Sequence, residues 1–228
     1  KTIFEAINDK KNKEQEQSKN KRYERFFYQE AFRNLFTSIR FLNAGNNIKS
    51  FVISSAIPSE GKTLVIILLA KTLAEMGYKV LLIDADMRKP QVHNRLGLDN
   101  ISGLSNLLID KKLTLKDVTR EVDGHKNWKV ISAGIKPPNP PRLLTSERMK
   151  KIVLDLNSSE EFDYIIYDTP PLLGLADSIL LSLSKSISGL ILLVSTNKVS
   201  KVLSIEAAKR IVSSKVNFLG MIVNTTCK

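Results

Sequence analysis

Residues 50–77 read SFVISSAIPSEGKTLVIILLAKTLAEMG. The apolar run SFVISS leads into a short polar turn, and KTLVIILLAKTLAEMG then has the composition of a buried helix. The spacing Ala56-x4-Gly61-Lys62-Thr63 falls at that strand-to-helix turn, where free helix N-terminal amides can face a phosphate. Gly61 lets the backbone approach the anion, Lys62 reaches the β and γ oxygens, and the Thr63 hydroxyl is placed to ligate magnesium. Pro58, Ser59, Glu60 and Leu64 complete the residues expected to contact a nucleotide. The usual pattern asks for glycine where Ala56 stands. Alanine is small enough not to block the turn, and Pro58 fixes φ within it.

Outward from this stretch, short apolar runs alternate with amphipathic segments. SFVISS (50–55), KVLLIDAD (79–86), WKVISAG (128–134), FDYIIYDT (162–169), SGLILLVST (188–196) and VNFLGMIVN (216–224) read as strands, most of them apolar on both faces. Strands of a parallel sheet covered on both sides read that way. Helices are predicted near 62–76, 103–109, 145–157, 175–184 and 200–213. The alternation implies an α/β fold: a doubly wound, mainly parallel sheet of the P-loop NTPase kind, with helices on both faces. Ligands in such sheets bind at the carboxyl ends of the strands. Asp84 and Asp86 sit at one such end, two apart on an extended chain and so facing the same way. Asp168 closes another, as an acid that holds magnesium directly or through water. Three acids that each follow an apolar strand beside a phosphate loop point to a nucleoside triphosphatase or a phosphoryl transferase.

Composition narrows the setting. A chain of 228 residues can bury one large core. The one cysteine, Cys227, excludes an internal disulfide framework and fits a reducing, cytosolic compartment. No apolar run approaches the roughly 18–20 residues that span a bilayer, and no signal peptide opens the chain. A chain that opens on Lys1 reads as a piece of a longer one, whose flanks can hold a membrane anchor. The net charge of +12 raises nucleic acid as a partner, but the lysines are scattered and no aromatic residues interleave with them. A basic surface near an anionic membrane fits at least as well. Residues 8–22, NDKKNKEQEQSKNKR, carry no apolar side chain and read as a polar linker. In 23–42, Phe27, Ala31, Leu35, Ile39 and Leu42 recur at helical spacing, which predicts a helix over about 22–43 closed by Asn43 and Gly45. The domain proper is expected over 23–228.

The acidic motif LLIDADMR resembles the branch that holds partitioning and division-site ATPases, nitrogenase-reductase-like proteins and bacterial tyrosine kinases. Ile57 and Pro58 depart from the early lysine and glycine of the first two groups. They match the tyrosine-kinase loop A-x-P-x-E-G-K-[ST]. AGIKPPNPPRLLTSERM (133–149) is similar to that family's Gly-x-x-Pro-Pro-Asn-Pro-x-x-Leu-Leu-x-Ser segment. QEAFRNLFTSIR (29–40) resembles its oligomerisation helix through Glu30, Arg33 and Thr37. Phe36 there replaces an arginine and Ser38 an asparagine, so the helix is expected to meet a neighbouring copy through apolar surface.

The resemblance covers about residues 23–226. It implies the cytoplasmic kinase domain of a capsular or exopolysaccharide assembly protein, held at the inner membrane by an activator segment on the same or a separate chain. It further implies ATP and magnesium, a homo-oligomer formed through the 22–43 helix, a tyrosine-rich tail as substrate, and no nucleic acid. On this reading Lys62 serves the phosphates, Thr63, Asp86 and Asp168 hold magnesium, and Asp84 accepts the tyrosine proton, with an exchange between Asp84 and Asp86 left open. Asn224 resembles the family's adenine contact, and is equally a turn residue closing a strand. Lys62 is expected to face ligand rather than core. Arg88 either touches phosphate or pairs with an acid. Lys89 and Lys136 read as solvated, His93 and His125 as surface residues, and Trp128 as core. Of the five tyrosines, Tyr164 and Tyr167 should be buried, Tyr78 lacks slack, and only Tyr23 and Tyr28 adjoin the polar linker. Two rivals remain: a MinD/ParA-type ATPase that binds DNA or membrane, and a non-catalytic, nucleotide-responsive scaffold for chain-length control.

Overall fold

The computed structural model describes residues 26–41 and 48–225. The linker at 8–22, Tyr23, Leu42, Asn43, Gly45 and Cys227 lie outside the described residues. All six apolar runs expected to be strands form strands, and four of them make the fully buried centre of the sheet. β1 (Ser50–Ser55), β2 (Val80–Asp84), β5 (Tyr164–Asp168) and β6 (Leu190–Ser195) are buried at every position. Among the described residues the sheet has seven strands in the order β3-β4-β2-β5-β1-β6-β7, with β4 at His125–Ile131 and β7 at Phe218–Asn224. All neighbouring pairs are parallel except β3 (Thr119–Val122) with β4.

β3 was not predicted. Its sequence TREV is charged and short, as suits a sheet edge. The signal lay in the next two residues: Val122 pairs with His125 across Asp123 and Gly124, and Gly124 has φ +76°. Asp-Gly flanked by strand residues is a hairpin turn. β4 therefore begins at His125, three residues ahead of the expected start.

Helices bracket the sheet. The chain at 26–41 forms α1, followed by α2 (Lys62–Glu75), α3 (Val92–Leu96), α4 (Leu104–Ile109), α5 (Leu115–Val118), α6 (Pro140–Leu144), α7 (Glu147–Ser158), α8 (Asp177–Ser182) and α9 (Lys201–Ser213). Side-chain alternation splits each central strand between two cores. Leu81, Ile83, Ile165 and Tyr167 join residues of α4 to α9 on one face. Val80, Leu82, Tyr164 and Ile166 join α1 and α2 on the other. The period of two along the strands thus builds a covered sheet. The Pro-Pro-Asn-Pro stretch starts α6: Asn139 accepts a hydrogen bond from the Arg142 amide, and Pro140 is buried.

α1 corrects the expected apolar line. Phe27 is 67% exposed and Ala31 is exposed, whereas Phe36 and Ile39 are buried with Phe32 and Leu35 packed beside them. The Phe36 ring stands edge-on to Tyr78 and Tyr164, 5.2 Å from each. Phe36 therefore does not supply apolar surface to a neighbouring copy. It anchors α1 to its own domain. Phe26, Tyr28 and Phe41 are the large exposed side chains beside Phe27 on this helix.

Candidate active site

The order β2-β5-β1 sets three strand ends side by side. Asp84 of β2 pairs in register with Asp168 of β5, which also pairs with Ile53 of β1 just before the phosphate loop. Neighbouring strands lie about 4.8 Å apart, so two acids and the loop converge by topology alone.

The loop solves the missing glycine locally. Among the described residues, positive φ outside glycine occurs only at Ser59 (+67°) and Lys215 (+60°). Ala56 is thus spared the left-handed region and packs in the core. Gly61 cannot be replaced so easily. Its φ is +89°, and a Cβ there would meet Asn224 Nδ2 at 2.7 Å. Glu60 is buried, and its carboxylate accepts from the amides of Ile57 at 2.8 Å and Ser195 at 2.9 Å. Asn224 donates to the Glu60 carbonyl at 2.9 Å. Glu60 and Asn224 therefore brace the loop against the ends of β6 and β7. Leu64 is 45% exposed and, like Glu60 and Asn224, does not line the cleft described below.

Lys62 lines the cleft, but it is more enclosed than a ligand-facing lysine need be. It is buried and forms an ion pair with buried Asp168. Asp84 is fully enclosed. Its Oδ1 accepts from the Asp86 amide, and its Oδ2 from the amides of Gln91 and Val92. Burial pushes its carboxyl well above the ordinary carboxylate range, and the neighbouring Asp168 charge adds to the rise. Asp86 is also raised by burial. However, only its Oδ1 is bonded, to the amides of Arg88 and Lys89, and the residue opens on the cleft. Arg88 chooses the acid: it grips buried Asp177 with two hydrogen bonds of 2.9 and 3.1 Å. Asp177, an acid in the first turn of α8, looks in sequence like any helix-start residue.

Lys62, Thr63, Pro58, Ser59, Gly61 and Asp86 share one cleft of about 580 Å³. The donors suit a hard cation: a hydroxyl on Thr63 and carboxylates on Asp86 and Asp168. Among the described residues no three acidic, histidine or cysteine side chains form a closed metal cage. Magnesium characteristically keeps waters and leans on phosphate oxygens, so an open set of this kind fits it. His93 is only partly exposed, and its Nδ1 is buried without a partner, so it is less a surface residue than expected. Trp128 is core, as predicted. Among the described residues no helix is long and apolar enough to cross a membrane.

Residues 52–214 match the family model described as AAA domain. Tyrosine-protein kinase YwqD of Bacillus subtilis is 36% identical over 195 residues, covering 86% of this chain and 80% of that protein. Tyrosine-protein kinase etk of Escherichia coli is 36% identical over 202 residues, which span 87% of this chain but only 27% of that longer protein. The crystal structure of the chimerical protein CapA2B2 superposes with a TM-score of 0.80 at 31% identity, covering 87% of this chain and 85% of the other. The division-site protein MinD of Pyrococcus horikoshii, solved with Mg-ADP, reaches 0.61 at 23% identity over 77% of this chain and 70% of its own, a likeness of fold alone.

Proposed function

The chain belongs to the bacterial tyrosine kinases, and from that membership we propose that it transfers the γ-phosphoryl group of ATP to protein tyrosines. The observation that carries this reading is that Lys62 and Asp86 line a roomy cleft beside a strand-to-helix phosphate loop, with Asp168 ion-paired to Lys62 behind it. Phosphoryl transfer needs positioning and charge neutralisation more than covalent help. The loop amides and Lys62 take the phosphates, with the phosphate oxygens competing against Asp168 for the Lys62 ammonium. Thr63 and Asp168 would hold magnesium, which supplies charge neutralisation on the phosphate oxygens. Asp86 accepts the phenol proton. This exchanges the role first given to Asp84, whose two oxygens are occupied by backbone amides and whose work is to hold the 84–92 turn. In the step itself the tyrosine oxygen bonds to the γ-phosphorus as the bond to the bridging oxygen breaks, ADP leaves, and the proton passes to Asp86 Oδ2. Asn224, braced on the Glu60 carbonyl beside Gly61, would meet the base from that side of the loop.

The wider setting belongs to the same proposal. A tyrosine-rich tail is the acceptor, and a membrane-anchored activator segment, fused or separate, stimulates the domain. Copies associate through α1, and the assembly governs capsular or exopolysaccharide synthesis and export from the cytoplasmic face of the inner membrane. Labelled ATP offered with a tyrosine-rich peptide tests the core of the reading. Transfer to tyrosine supports it. ATP hydrolysis with phosphate released only to water would favour a MinD-type ATPase, and nucleotide binding without turnover would favour a scaffold.

A further inference from the structure

The cleft extends beyond the phosphate loop. Pro170, Pro171, Leu173 and Leu175 also line it, as do Lys89 and Arg95, while Asn224 does not. A nucleotide whose base lies toward Asn224 leaves this apolar and basic part of the cleft to the acceptor. Lys89 and Arg95 are both exposed, and neither has an acidic partner among the described residues. Arg88, in the same cleft, is already held by Asp177. The two free cations sit on a braced segment. Asp86 takes the Lys89 amide, and Asp84 takes the amides of Gln91 and Val92 at the entry to α3, which carries Arg95. A tyrosine ring suits the proline–leucine lining, whereas the unpaired cations favour anionic neighbours of that tyrosine. Concave walls focus such a potential, and a guanidinium recognises carboxylates with a planar fork.

We propose that Lys89 and Arg95 recognise acidic side chains beside the acceptor tyrosine, so that the substrate class of this site is an acidic, tyrosine-bearing segment. The proposal rests on the kinase reading for the word acceptor, but its test is a binding measurement. Two labelled peptides of equal length are titrated with the protein in ADP and magnesium, one with its tyrosine between glutamates and the other between glutamines. The acidic peptide should bind about five- to tenfold more tightly, the scale of two partly exposed ion pairs. The preference should fade at high salt, as expected of exposed charges. It should shrink toward parity in a Lys89→Gln/Arg95→Gln variant whose circular dichroism matches the parent. Equal affinity for both peptides, or a preference that survives the double substitution, overturns the proposal. So does a variant that loses ADP affinity while keeping the peptide preference, because the cations would then serve the nucleotide. ATP is added to the same samples last. An acidic preference lost in the variant but never followed by phosphate on tyrosine supports the recognition and counts against the kinase reading.

Discussion

The two ends of the five-residue strand β5 are buried by opposite means. At Tyr164 the chain closes a triangle of rings: Phe36, Tyr78 and Tyr164 meet edge-to-face at 5.2 Å on every side. Each such contact adds about 0.5–1.5 kcal/mol beyond the area it removes from water. At Asp168 the same strand delivers a carboxylate into a group of three acids that has one buried ammonium, Lys62, among them. Buried charge of that kind is held only by its partner and its hydrogen bonds. One end of the strand contributes stability, and the other gives stability up to keep groups ready for phosphate.

The largest expected effect breaks the charged end. Lys62→Met leaves Asp168 buried without its counter-charge and should destabilise the protein by about 3–5 kcal/mol. Urea unfolding checks this, and adding Asp168→Asn should recover much of the loss while phosphoryl transfer stays at least about tens-fold down. Lys62→Met with unchanged stability would mean that the ion pair has no hold on the fold.

At the aromatic end, Phe36→Ala should cost about 3 kcal/mol through the cavity left between Tyr78 and Tyr164. Because α1 is joined to the rest chiefly through that face, hydrogen exchange should show the loss concentrated in residues 26–41 and at the start of β5. Loss of association with the fold unchanged would instead restore the expectation that Phe36 faces a neighbouring copy.

A smaller effect has the opposite sign. Asp86→Asn keeps an acceptor for the amides of Arg88 and Lys89 but removes a buried charge. The folded-state carboxyl is raised, so the folded protein binds more protons than the unfolded chain above about pH 4, the ordinary carboxylate value. The parent should therefore lose stability as pH climbs from there through the raised value. The variant should decline less steeply, with the share due to the raised Asp84 carboxyl remaining, stand about 1 kcal/mol more stable at neutral pH without nucleotide, and fail to transfer phosphate. Thermal melts across pH, with and without the substitution, measure it.

The mildest prediction concerns labelling. Tyr167 is fully buried with its hydroxyl raised by that burial, and Tyr164 is 7% exposed, whereas Tyr28 is 66% exposed. After incubation with ATP, mass spectrometry should find phosphate on Tyr28 and none on Tyr164 or Tyr167. Phosphate on either strand tyrosine would require β5 to open and would undo the contrast between its ends.

Much of this site was legible in the residue order because its signals are local. A strand, a turn and a helix stand next to one another in residues 50–77, and an acid after an apolar run marks a strand end whatever lies beside it. The Asp-Gly hairpin was equally local, yet the charged run before it drew no strand assignment because edge strands carry little apolar pattern. Local order could not tell which acids face the cleft. Asp84 and Asp86 point the same way on an extended chain, but the chain turns after Asp84, and its amides at 86, 91 and 92 close over that carboxylate. Nor could it tell that Phe36 turns inward, because the ring pocket is built from residues more than forty and a hundred positions away. What the sequence determined by itself was the α/β alternation, the phosphate loop and the acids at strand ends, all written in neighbouring side chains. What the tertiary structure decided was the partners: Lys62 with Asp168, Arg88 with Asp177, Glu60 with Ser195, and Phe36 with Tyr164. Those pairings depend on the strand order β2-β5-β1-β6, and distance along the chain carries no record of which strand ends become neighbours.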